Sequence, residues 1–133
     1  YVVHHGALGS YATVYLPEDA EVATVAGFIE GLEGVEQVLS REAAAETFEL
    51  PADRIGELVV VTEKTRAVGT RPDKHDLSGL EVPLRSHGGV SEQRVPLVVN
   101  RPVTGIEGRK LRNFDAFDIA LNHVEARQSA AAE

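Results

Sequence analysis

The chain has 133 residues, with 13 Lys and Arg against 21 Asp and Glu, a formal charge of −8, and no Cys or Met. One modest domain fits that length, and a hydrophobic content of 43% with mean hydropathy −0.12 is that of a globular chain with no apolar run near the roughly 18 residues of a membrane span. Lack of Cys excludes disulfide frameworks, thiol catalysis and cysteine-ligated zinc, leaving His, Asp, Glu and hydroxyls as metal ligands. Residues 1 to 66 carry 4 bases and 12 acids, and residues 67 to 133 carry 9 of each. That balance argues against a nucleic-acid partner, whose affinity rests on clustered Lys and Arg, while the Arg-rich second half can still face a small anion. The opening Tyr1-Val2-Val3-His4-His5-Gly6 has no initiator Met and no basic signal-peptide region, which leads us to expect part of a longer, cytoplasmic chain.

In chain order, Tyr11 to Leu16 is rich in β-branched and aromatic residues and ends at Pro17, as a strand entering a turn does. Asp19 can cap a helix whose Val22, Val25, Ala26, Ile29 and Leu32 share one face, with Gly34 as its stop. A short strand over Val35 to Leu39, an Ala-rich helix over Arg41 to Thr47 and a turn over Pro51 to Gly56 follow. Glu57 to Thr62 is continuously apolar in its centre, the pattern of a strand covered on both faces. This alternation predicts an α/β class. From Thr65 to Gly89, glycines and prolines interrupt every periodic run, and loops of more than about 12 to 15 residues in compact domains are often functional. Arg94 to Val99 is then a strand that Pro96 confines to an edge or an end, and Asn113 caps a final helix with Phe114, Phe117, Ala120, Leu121 and Val124 on one face. The predicted organisation is a single portion of a larger domain, with an acidic α/β segment over 1–64 and a metal-ligand loop, strand and final helix over 65–133.

Five histidines carry the chemistry that is available. His87, in Leu84-Arg85-Ser86-His87-Gly88-Gly89, precedes two glycines that allow a close backbone approach, although the same pattern also makes an ordinary turn. His4 and His5 are neighbours in an extended segment and point to opposite faces, so they do not share an ion. Asp73-Lys74-His75-Asp76 is either a small ligand cluster or a turn, and His123 falls on the polar, solvated side of the last helix. Ser10 lacks the frame of a nucleophile elbow, and no glycine-rich phosphate loop is present. Arg85, Arg94 and Arg101 flank the His87 segment as anion ligands or as plain surface charge.

Four stretches carry a family resemblance: HGALGSYATVYL at His5 to Leu16, HDLSGL at His75 to Leu80, LRSHGGVSEQRVPLVVNR at Leu84 to Arg101, and LRNFDAFDIALN at Leu111 to Asn122. Together they resemble the carboxy-terminal part of the phosphonoacetate hydrolases, zinc-dependent members of the alkaline phosphatase superfamily. The resemblance implies an alkaline-phosphatase-like α/β core, two zinc ions, and a Thr nucleophile that attacks phosphorus and expels an acetate-derived carbanion. It implies that His87 is the last metal-binding His, serving one zinc, and that the other ligands, the Thr and the substrate-holding lysines lie before the counterpart of Tyr1. Gly88 and Gly89 would let the loop turn under the metal, and Ser86 or Glu92 would orient the imidazole. A small phosphonate is the implied partner, with no nucleic acid or membrane, and a homodimer is compatible with it. By itself this chain would be inactive, since a catalytic zinc needs about three protein ligands. Two other readings compete: a phosphodiesterase or nucleotide pyrophosphatase of the same superfamily, and a non-catalytic α/β ligand-binding module.

Overall fold

The computed structural model describes residues 9–75, 78–79, 81 and 87–125. The chain divides into two compact units, Tyr1–Val95 and Pro96–Glu133. Among the described residues no helix is long and apolar enough to cross a membrane.

The first unit is built on a three-stranded antiparallel sheet of β1 (Tyr11–Val14), β2 (Val35–Ser40) and β3 (Leu58–Thr62), in the order β1-β3-β2. Strand β3 is central, and all five of its residues are buried, as the apolar run predicts. Its odd-numbered side chains, Val59 and Val61, join Ala44 and Ile55 in a core against which Tyr11, Leu39, Phe48, Leu50 and Val90 pack. Cross-strand register explains the grouping, since Tyr11 pairs with Val61 and Leu39 with Val59, placing all four on one face. Gly56 is obligatory at the entrance to β3: a β-carbon there would collide with the Val14 carbonyl.

Two helices flank the sheet. Helix α1 (Val22–Glu30) starts later than Asp19 predicts, because a turn closed by the Ala20 N–H on the Pro17 carbonyl takes up Asp19. Glu21 caps the helix instead, its Oε2 accepting from the Thr24 N–H at 2.9 Å, and that bond lowers its carboxyl pKa. Val25, Ala26 and Ile29 are half-buried while the remainder of α1 is exposed, Phe28 by 69%. Gly34 is not the C-cap, a position held by Gly31; its φ of +87° turns the chain into β2 opposite the Arg66 side chain. Helix α2 (Arg41–Phe48) is capped by Ser40, which accepts from the Ala43 N–H, and it buries Ala44 in the core. Glu57 ties the helix start to the sheet, accepting from the Leu16 N–H at 2.7 Å and pairing with Arg41. The Leu16 bond is the larger cause of its lowered pKa and the Arg41 guanidinium adds to it.

Residues 94–99 do not form the expected strand. Val95, Leu97 and Val98 are exposed, Val98 by 86%, and Pro96 supplies no N–H for a ladder. In the second unit, α3 (Asp115–Asp118) continues as a π turn over Ile119–His123. Asn113 does not cap it: the Asp115 carboxylate accepts from the Arg112 N–H at 2.7 Å in the preceding turn. Ile119 is the buried side chain of this helix, and the predicted apolar face is largely exposed, Phe117 by 75% and Leu121 by 82%. The wider π turn breaks the 3.6-residue period on which that face depends. Pairing of Val103 with Val124 closes the segment that contains the helix.

Candidate functional site

His87 is held at the margin of the sheet by the residues that precede β1. The Gly9 carbonyl accepts from the Val68 N–H at 2.6 Å, and the Ser10 carbonyl accepts from the Thr62 N–H at 2.9 Å. Ser10 is wholly buried, and its hydroxyl donates to the Arg66 carbonyl, which also accepts from the Thr62 hydroxyl. On the opposite side, the Ser10 N–H donates to the His87 carbonyl at 2.7 Å. The backbone of His87 is thereby attached to a strand extension that is itself pinned on both sides.

The two glycines after His87 differ: Gly88 takes a left-handed backbone that favours glycine, whereas Gly89 is extended, with φ −77°. Gly88 has a φ of +85° and lies against Tyr11, where a β-carbon would come within 2.9 Å of the Tyr11 Cβ. Burial raises the Tyr11 hydroxyl pKa, and Tyr15 adds to the shift. Gly89 donates its N–H to Glu92 Oε2 at 2.6 Å, and the Glu92 N–H returns a bond to the Gly89 carbonyl at 3.1 Å, closing a 3₁₀ turn over Val90–Glu92. Glu92 Oε2 is thus engaged by backbone, and Glu92 makes no hydrogen bond to the His87 ring. Ser86, the other candidate for orienting the imidazole, lies outside the described residues, as do His4, His5, Asp76 and Arg85.

The His87 side chain is exposed and sits over Gly9, and among the described residues neither of its ring nitrogens makes a hydrogen bond. An imidazole with both nitrogens open and its backbone fixed is chemically suited to be one metal ligand. Among the described residues no group of three or more His, Asp or Glu side chains comes together to hold an ion. One donor fits, and the remainder of a tetrahedral set would have to come from elsewhere.

Among the described residues, several of the other sequence candidates have structural partners. Asp73 pairs with Arg71 at 3.0 Å within a short 3₁₀ turn at Pro72–Lys74, and His75 Nε2 accepts from the Thr70 N–H at 3.2 Å. Those bonds fit a folded turn over the described part of this segment. Arg94 is exposed in the first unit, and Arg101 in the second donates to the Glu125 carbonyl at 3.4 Å.

A polar cluster in the second unit was not legible in the sequence. His123, expected as a solvated residue, has its Nδ1 2.9 Å from the Thr104 carbonyl and its Nε2 3.2 Å from both Asp118 Oδ2 and Arg109 Nη1. Arg109 donates to the same Asp118 oxygen, and Asn122 donates to the other at 2.8 Å. These contacts hold the Asp118 carboxyl below its usual pKa, with the Asn122 bond the largest cause, then Arg109 and His123. Asp118 and His123 are five residues apart, a spacing that aligns on a π turn and not on the α-helix that periodicity predicts.

No family model matches the chain. A stretch of 32 residues, 23% of this chain, is 62% identical to a phosphonoacetate hydrolase of Penicillium oxalicum and spans 44% of that protein's length. Two solved structures of phosphonoacetate hydrolase from Sinorhizobium meliloti, in complex with phosphonoacetate and with phosphonoformate, each superpose with a TM-score of 0.63 at 46% identity. Each match covers 88% of this chain and 29% of the solved chain. In sequence and in fold, the chain is therefore similar to part of phosphonoacetate hydrolase, a protein of alkaline-phosphatase-like fold.

Proposed function

We propose that this chain is the metal-ligand part of a zinc-dependent phosphonoacetate hydrolase, which converts phosphonoacetate and water into acetate and phosphate by cleaving the carbon–phosphorus bond. The open His87 imidazole, on a backbone held by Ser10 and turned by Gly88 and Gly89, carries this reading. Support comes from the 46% identity, over 88% of the chain, to a hydrolase solved with phosphonoacetate bound. A carbon leaving group is poor, so the reaction demands neutralisation of the phosphoryl oxygens as charge moves onto the departing acetate carbon. Zinc, when bound, supplies Lewis acidity and a lowered pKa for a coordinated nucleophile.

In this reading His87 contributes one neutral ring nitrogen to one of the two zinc ions, and the remaining ligands, the nucleophile and the substrate-binding groups belong to other parts of the protein. Ser10, Gly88 and Gly89 fix where the imidazole stands, which matters because a displacement of about 1 Å at a catalytic group can cost on the order of a hundredfold in rate. In this reading the substrate is a small anion, and the net charge of −8 disfavours a polyanion.

The test is phosphate release by the complete protein from phosphonoacetate and, in parallel, hydrolysis of a nitrophenyl phosphodiester. Release from phosphonoacetate with little diester hydrolysis is expected; the reverse pattern would assign the phosphodiesterase alternative. In the same protein His87→Ala is expected to lower zinc content and abolish turnover. Unchanged zinc and activity would remove His87 from the metal.

A further inference from the structure

We infer that Gly9, backed by Ser10, is a positioning residue for His87, acting by direct contact with the ring. The inference rests on the reading of His87 as a zinc ligand and extends it to how the ligand is aimed. A metal-bound imidazole is usually oriented by a hydrogen bond from its second nitrogen to a carboxylate or carbonyl. Here the nearest acid in sequence, Glu92, is occupied by the Gly89 N–H at 2.6 Å, and among the described residues neither His87 ring nitrogen has a hydrogen-bond partner. What the ring does have is a backbone surface. A β-carbon on Gly9 would lie 3.2 Å from His87 Cε1, 3.5 Å from Nδ1 and 3.5 Å from the His87 carbonyl oxygen.

That contact falls between two backbones that cannot separate. On one side Gly9 is held by the Val68 N–H and the buried Ser10; on the other the His87 carbonyl is held by the Ser10 N–H. Gly89 packs so closely on Ser10 that its own β-carbon would lie 3.1 Å from the Ser10 Cβ, closing the other route of relaxation. An added methyl at Gly9 therefore displaces the one freely rotating part, the imidazole. Because Cε1 lies between the two ring nitrogens, turning it away re-aims both donors at once. The φ of Gly9 is not in the left-handed region, so Gly9→Ala tests the contact without backbone strain.

The experiment uses the 133-residue chain with 13C-labelled histidine, the His87 Cε1–Hε1 resonance being assigned by its loss in His87→Ala. A nuclear Overhauser contact between the Gly9 Hα protons and His87 Hε1 is expected in the unsubstituted chain, and its absence would overturn the inference whatever any variant does. Gly9→Ala is expected to move the His87 resonance, to leave those of His75 and His123 in place and, in the complete protein, to weaken zinc affinity about tenfold. Slow exchange of the Thr62 and Val68 amides reports that the strand extension remains folded. Gly27→Ala, where a β-carbon meets nothing within 4 Å, is the silent control. An unmoved His87 resonance in Gly9→Ala with both amides protected overturns the inference. If His87→Ala in the complete protein leaves zinc content unchanged while the Gly9 contact is present, the zinc reading fails and the contact stands.

Discussion

The two compact units draw on similar residues and reach opposite states. In the first, Leu58, Val59, Val60 and Val61 occupy the central strand of a three-stranded sheet and are all buried. In the second, Phe114, Phe117 and Leu121 lie on one helical segment and are all more than half exposed, and Ile119 is its buried apolar side chain among the described residues. A strand between two others receives neighbours on both edges and both faces, whereas a short helix buries only the stripe that some other element covers. What organises the second unit is polar: His123, Asp118, Arg109, Asn122 and the Thr104 carbonyl. Apolar content does not predict burial; the number of neighbours that topology provides does.

This contrast can be broken at its strongest point first. Leu58→Ala empties a fully buried position and is expected to cost about 2–5 kcal/mol, read from urea denaturation. Gly56→Ala drives a methyl into the Val14 carbonyl where β1 meets β3, and is expected to cost about 1–3 kcal/mol, with faster amide exchange in β1 than in β2. In the second unit, His123→Ala removes the bond to Thr104 and the contact with Asp118. About 1–2 kcal/mol is expected from loss of such bonds, visible as faster exchange of the Thr104 and Glu125 amides, whose bonds close that segment. At the other extreme, Phe117→Ser should change stability by no more than about 0.5 kcal/mol, because its ring is already in solvent. A large loss there would mean that the helix face is covered in the folded protein.

Acid separates the units by cause. Glu57 in the first and Asp118 in the second both have carboxyl pKa values held below the usual range, by the Leu16 N–H with Arg41 and by Asn122 with Arg109 and His123 respectively. A depressed folded pKa contributes stability that is complete above the unfolded value, about 4, and is lost as pH falls through the folded value. Glu57→Gln is expected to flatten the acid limb for amides of the sheet, and Asp118→Asn to do so for residues 102–125. If either substitution flattened the limb for both units equally, the two would be unfolding as one.

Local patterns were legible where one interaction dominates. The β-branched run of β3, the half-buried stripe of α1 and the Ala-rich α2 all lie where the sequence predicts, because burial on a central strand and 3.6-residue periodicity are strong local signals. The helix starts were misplaced where several residues compete for one role: Glu21 caps α1 in place of Asp19, and no side chain caps α3 in place of Asn113. The expected strand at residues 94–99 failed because strand propensity needs a partner, and this segment pairs with none. Of the candidate site, His87 and the need for Gly88 could be read directly, whereas Gly89 takes an ordinary extended backbone. Gly9 and Ser10 could not, since they lie almost eighty residues earlier and matter only through contact.

The sequence by itself determined the acidic character of the first half, the central strand, the glycine turn after His87 and the resemblance to phosphonoacetate hydrolase, all of which depend on residues close together in the chain or on their identity. Only the tertiary structure decided that Glu92 serves the Gly89 N–H instead of the imidazole, that His123 is bonded to Thr104 and Asp118, and that Gly9 lies beneath His87. Hydrogen bonds and close contacts are directional and act within a few ångströms. Which distant residues meet at that range is set by strand register and turn geometry, and these follow from how the whole sheet and its loops pack.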